Sequence, residues 1–68
     1  MSQTMLDQLR AAQRETTMMR DTCARDIADH VVAGDTSGST FAAAVRVYQQ
    51  LTDELAEITR QLPATASR

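Results

Sequence analysis

The sequence predicts an all-α fold in which two helices form an antiparallel hairpin over residues 1–62. Apolar residues in the second half alternate at intervals of three and four, which is typical of a helix that packs against other helices. These residues are Phe41, Ala44, Tyr48, Leu51, Leu55, Ile58 and Leu62. A comparable series in the first half comprises Met5, Leu9, Ala12, Thr16, Met19, Cys23, Ile27 and His30. The Gly- and Ser-rich segment 34–39 is short enough to make the two helices antiparallel neighbours.

The first helix is predicted over residues 4–33. Thr4 and Asp7 have the spacing of an N-terminal capping box. Gly34 is the residue type that most readily adopts the left-handed conformation that closes a helix. Such a helix is about 45 Å long, which is typical of bundles and coiled coils rather than of small globular domains.

The outer face of this helix carries charges of both signs, at Arg10, Arg14, Asp21 and Arg25. Asp21 precedes Arg25 by four residues, and such a pair supports an exposed helix by a few tenths of a kcal/mol. Met18 is the apolar exception among these charges. We therefore expect a solvated face with one apolar residue that the hairpin itself does not need.

The second helix is predicted over residues 40–62, with Ser39 or Thr40 as its N-cap. Pro63 ends it, and residues 63–68 are expected to form a flexible tail.

Apolar residues also gather on both sides of the turn. Val31 and Val32 precede it, while Phe41 and Val45 follow it. We expect these four side chains to form a local cluster that closes this end of the hairpin.

The residues that could carry chemistry are few, and we expect neither an enzyme nor a cofactor or metal site. Cys23 lies in the apolar series, where a thiol packs as a small, inert apolar group. His30 follows Asp26 by one helical turn, so the carboxylate can orient the imidazole in a structural role. Segment 34–40 resembles a phosphate-binding loop only superficially, because it lacks the Lys and follows no predicted strand. Whether its Ser and Thr residues accept phosphate stays open.

Length and composition point to self-association. A single domain of 68 residues barely offsets the entropy of folding unless a disulfide, a metal or a partner subunit helps. One Cys cannot form a disulfide within the chain, and one Cys with one His cannot supply four zinc ligands. We therefore expect a homodimer in which two hairpins form a four-helix bundle. Its expected dimer and hairpin core comprises Leu9, Met19, Cys23, Ile27, Phe41, Tyr48, Leu51, Leu55 and Ile58.

Charge and hydropathy argue against nucleic acid and membranes as partners. The net charge is −2, and the seven basic residues, all Arg, are spread over both halves of the chain. No segment approaches the roughly 20 apolar residues of a membrane span. Met1–Leu9 also lacks a basic region followed by an apolar one. We expect a soluble, cytoplasmic protein.

Two short segments carry a resemblance to a known class of proteins: Leu6-Asp7-Gln8-Leu9-Arg10 and Thr40-Phe41-Ala42-Ala43-Ala44. With the order of the two helices, they resemble small phage-encoded helical hairpins that bind and inhibit host proteins. That class includes a quorum-sensing anti-activator that targets a LuxR-type regulator and a pilus-assembly ATPase. The resemblance implies a non-enzymatic module that binds a host protein, and it transfers no functional residues to this chain.

The residues themselves suggest a contact surface made of Arg10, Arg14, Met18 and Arg25. One alternative is an RNA- or DNA-binding regulator similar to the plasmid copy-number regulator Rop. Its candidate contacts are Arg10, Arg14, Arg20 and Arg25, and they are opposed by Asp7, Asp21 and Asp29 beside them. The other alternative is a structural assembly subunit whose apolar surface is covered within a larger complex.

Overall fold

The structure, a computed structural model, describes residues 3–62 of the chain. Helix α1 covers Gln3–Ala33 and helix α2 covers Ser39–Gln61. The two helices pack against each other and the described residues contain no strand, so the predicted all-helical hairpin is confirmed. Neither helix within the described range has a segment long and apolar enough to cross a bilayer. The tail predicted over 63–68 lies outside the described residues.

The turn begins with a Schellman motif at the end of α1. Gly34 adopts a φ of 75°, the left-handed conformation expected of it. Its N–H donates to the carbonyl of Val31 at 3.1 Å, and the N–H of Asp35 donates to the carbonyl of His30 at 2.9 Å. These two bonds satisfy carbonyl groups that the end of a helix would otherwise leave unpaired.

Helix α2 begins one residue earlier than its hydroxyl residues suggested. Its N-cap is Gly38 rather than Ser39 or Thr40, because the extended backbone of Gly38 (φ −85°, ψ 164°) turns directly into the helix. The carbonyl of Gly38 accepts the N–H of Ala42 at 3.2 Å. No side chain caps the first turn, so a glycine occupies a position that Ser, Thr, Asp and Asn fill more favourably.

The other end of α2 follows the sequence closely. Leu62 is the C-cap, with extended backbone (φ −71°, ψ 146°), and its N–H donates to the carbonyl of Thr59 at 3.2 Å. Pro63 comes next in the sequence, and the ring of a proline disfavours helical backbone geometry in the residue before it.

The seam between the helices matches the predicted series on α2 but is displaced on α1. On α2, every residue of the predicted series is buried or half-buried. On α1, the covered residues with alternating spacing are Leu6, Leu9, Gln13, Thr16, Arg20, Cys23, Ile27 and His30. Met5 and Met19, which the sequence pattern placed in the seam, are 48% and 51% exposed.

The seam on α1 is displaced from the predicted series because α1 has a single neighbouring helix, α2. The residues common to the predicted and the observed series are Leu9, Thr16, Cys23, Ile27 and His30. The side toward α2 adds Leu6, Gln13 and Arg20, whereas Met5 and Met19 lie on the exposed side and Ala12 is half-buried. A single neighbouring helix covers one of these sides, and α2 covers the more polar one.

The hairpin is long and thin, and it buries little. Its dimensions are 47 × 19 × 16 Å, close to the length of α1 and the thickness of two helices. Among the described residues only Ala44, at 9% exposure, and Thr16, at 4%, are buried. No buried side-chain nitrogen or oxygen among them lacks a hydrogen-bond partner.

The apolar cluster expected beside the turn does not form as predicted. Val31 and Val32 are 55% and 88% exposed, because the last turn of α1 directs them away from α2. His30 takes their place against Phe41, with the two rings edge to face at 6.0 Å and 76°.

Candidate protein-binding groove

An open groove runs along the side of the hairpin that the Met residues of α1 face. Its volume is about 580 Å³, and it is lined by Met18, Met19, Thr22, Cys23, Asp26, Val47 and Leu51. Both helices contribute, so the groove exists only when the hairpin is folded. It is the place where a further helix can pack against α1 and α2 together.

A close contact between the helices lies beside the groove, at Cys23, which also lines it. The thiol of Cys23 donates to the carbonyl of Ala44 at 3.1 Å. Ala44 is buried, and its small side chain lets the two backbones approach at this point. Cys23 therefore has a structural contact across the hairpin, which agrees with the packing role that its place in the apolar series predicted.

The walls of the groove are apolar side chains that the hairpin leaves in solvent. Met18 is 68% exposed, Met19 51% and Val47 45%. Methionine is unbranched and polarizable, so it adapts its shape to the surface that covers it. These three side chains form an exposed apolar surface that the hairpin itself does not cover.

Acidic residues surround the groove. Asp26 lines it directly. Residues seven apart lie on the same stripe of a helix, so Glu15 and Asp29 lie on the stripe of Thr22, and Glu54 lies on the stripe of Val47. All four carboxylates are exposed. None of the arginines of α1 and α2 lies on these two stripes, but Arg14 precedes Met18 by one helical turn and Arg25 shares its stripe, so four carboxylates and two arginines surround the groove.

Two arginines, Arg14 and Arg25, lie at the outer margin of the groove. Arg25 follows Met18 by seven residues and therefore shares its stripe. Asp29 lies one helical turn after Arg25, in a position that allows its carboxylate to offset part of that charge.

A second depression lies on the opposite side of the hairpin. Its volume is about 500 Å³, and it is lined by Arg20, Thr52, Leu55, Ala56, Thr59 and Arg60. Arg20 pairs with Asp21 at 3.3 Å, and Arg60 pairs with Glu57. Because each arginine has its own acid, this depression has no excess of positive charge.

The contact residues that the sequence suggested differ in their position relative to the groove. Met18 lies in the groove, and Arg25 lies at its margin. Arg10 and Arg14 are exposed, and at 100° per residue they point about 80° and about 40° away from Met18. The apolar surface next to Met18, which includes Val47 and Leu51 of α2, could not be found from the charges of α1 alone.

The expected core residues divide between the seam and the groove. Those that are half-buried are Leu9, Cys23, Ile27, Phe41, Tyr48, Leu51, Leu55 and Ile58. Met19 is the exception, since it is half-exposed and lines the groove.

His30 has a structural setting at the turn. Its side chain is 17% exposed, with Nε2 4.0 Å from a carboxylate oxygen of Asp26 and Nδ1 3.5 Å from one of Asp35. The sequence spacing predicted the contact between Asp26 and His30. It did not predict the contact of Asp35 with the ring, because the Schellman turn brings Asp35 close to His30. The described residues contain no group of three or more His, Cys, Asp or Glu side chains that could hold a metal ion.

The fold and the groove define a helical-hairpin protein with one uncovered apolar face. Comparison of the chain with protein-family models, with curated proteins and with solved structures gave no match.

Proposed function

We propose that this chain is a non-enzymatic protein-binding module that receives the apolar face of a partner helix in its groove. The observation that carries the proposal is the groove itself, with Met18, Met19 and Val47 exposed on walls supplied by both helices. The resemblance to phage-encoded hairpins gives the proposal a specific form, in which binding inhibits a host protein.

The experiment is affinity capture from the native host with paired variants. The double variant Met18→Ser, Met19→Ser removes apolar contact from the groove without changing its charge. The control Gln49→Ser, Gln50→Ser shortens two exposed side chains of α2 that do not line the groove. We expect one host protein to be retained at moderate salt by the wild type and the control, and to be lost with the Met double variant.

Circular dichroism must show equal helix content in all three proteins. Retention of the same host protein by the Met double variant would contradict the proposal, and so would the absence of any retained protein.

A second copy of the chain is the other candidate occupant. Two hairpins joined through their grooves would form the four-helix bundle and homodimer that the sequence predicted. The carboxylates around the groove oppose this arrangement, because a symmetric pairing brings like charges together.

A further inference from the structure

We propose that the occupant of the groove is a basic amphipathic helix, with apolar residues on one face and Lys or Arg along its margins. This inference rests on the proposed function, since it requires that the groove binds a helix. It specifies the chemistry of the partner from the shape and the charge of the groove.

The length of the groove indicates how long the apolar face of the partner helix is. The α1 wall runs from Met18 to Asp26, which corresponds to about 12 Å along a helix. A partner helix presents apolar side chains at intervals of three and four over this length, as in other helix-in-groove complexes. The Met18 and Met19 side chains adapt to the residues inserted between them.

The charges around the groove indicate which residues flank the apolar face of the partner helix. Glu15 of α1 and Glu54 of α2 lie at one end of the groove, and Asp26 and Asp29 lie at the other. Lys or Arg residues flanking an apolar stripe would meet a carboxylate at either end. An acidic helix would meet repulsion at the same places, as would a second copy that docks through the same face.

Salt concentration separates the two occupants by the sign of its effect. Salt screens the attraction between a basic helix and the carboxylates, so that complex weakens as salt is added. Salt also screens the repulsion between two copies of the acidic face, so a dimer through the groove strengthens. The apolar contact is common to both and leaves this difference unchanged.

The test is fluorescence anisotropy with a labelled synthetic amphipathic peptide of 18 residues. Leu forms one face and Lys the other, and a second peptide has Glu in place of every Lys. The complete chain is titrated at 50 and 500 mM NaCl. We expect the Lys peptide to bind, with an affinity that falls about tenfold over this range, and the Glu peptide not to bind.

Two variants test the contribution of the groove. Glu15→Gln with Glu54→Gln should lower the affinity for the Lys peptide by about threefold to tenfold at 50 mM NaCl, and by much less at 500 mM. The matched control is Asp7→Asn with Asp53→Asn, which makes the same change in net charge at exposed residues outside the groove. The control should change the affinity by less than about twofold.

An equal loss of affinity in the Asp control would overturn the inference, because it would mean attraction by net charge alone. Absence of peptide binding, together with self-association that increases with salt, would also overturn it. The proposed function would survive that second result only if the wild type still captures a host protein that the Met double variant loses. If the chain neither binds the peptide nor self-associates, and captures no host protein, both proposals fail.

Discussion

Ala44 shows how one small side chain sets the distance between the two helices. It is buried at 9% exposure, and its carbonyl accepts the thiol proton of Cys23. A larger residue at this position would have to displace α1, and both walls of the groove depend on that spacing. In the sequence, Ala44 is one of three consecutive alanines, and only its place in the apolar series distinguishes it from its neighbours.

We predict that Ala44→Leu lowers the free energy of unfolding by about 1–3 kcal/mol, because extra volume is forced into a close contact. The control is Ala43→Leu, which adds the same atoms at an exposed position next in the chain. The control should stay within about 0.5 kcal/mol of the wild type. Urea denaturation followed by circular dichroism measures both values, and similar effects of the two variants would contradict the close approach at Ala44.

At the scale of the element, the turn is well formed on the side of α1 and less so on the side of α2. Gly34 uses the conformational freedom of glycine at a φ of 75°. Gly38 does not, because its φ of −85° and ψ of 164° lie in the extended region, which residues other than glycine adopt without steric cost. A Cβ atom on Gly38 would meet the nearest oxygen of Asp35 at 3.4 Å, which is an ordinary contact.

We predict that Gly38→Ser raises the free energy of unfolding by about 0.5–1 kcal/mol. The serine hydroxyl can accept a free N–H in the first turn of α2, and serine loses less backbone entropy than glycine on folding. Gly38→Ala shares the entropic part of this gain but lacks the hydroxyl, so it should stabilise the protein less than Gly38→Ser. Thermal unfolding of the three proteins provides the comparison, and equal midpoints for the Ser and Ala variants would show that the hydroxyl makes no cap.

At the scale of the whole molecule, the hairpin exposes one face that its own helices cannot cover. Two helices bury one stripe each, and the described residues include only two that are buried. A small core of this kind leaves little free energy to spare over the entropy of folding. A partner that binds only the folded hairpin would stabilise it by mass action.

We predict that any self-association of the chain through the groove is weak at 50 mM NaCl and strengthens at 500 mM NaCl. The reason is the set of carboxylates around the groove, which repel their copies across a symmetric interface until salt screens them. Sedimentation equilibrium of the wild type and of the Glu15→Gln, Glu54→Gln variant measures this effect. A dimer that is strongest at low salt would show that some other face of the hairpin forms it.

The sequence by itself determined the number of helices, the turn and the seam of α2. Each of these follows from local spacing or from the backbone preference of a residue such as Gly34 or Pro63. The tertiary structure decided which side of α1 packs against α2. Helix periodicity alone does not decide it, because two adjacent stripes of α1 fit the spacing of a packed face almost equally well. It placed Gln13 and Arg20 beside α2 and left Met19 in the groove. The apolar pattern of α1 indicates that one side of the helix packs against a neighbour. How α2 lies against α1 decides which residues α2 covers and which it leaves exposed.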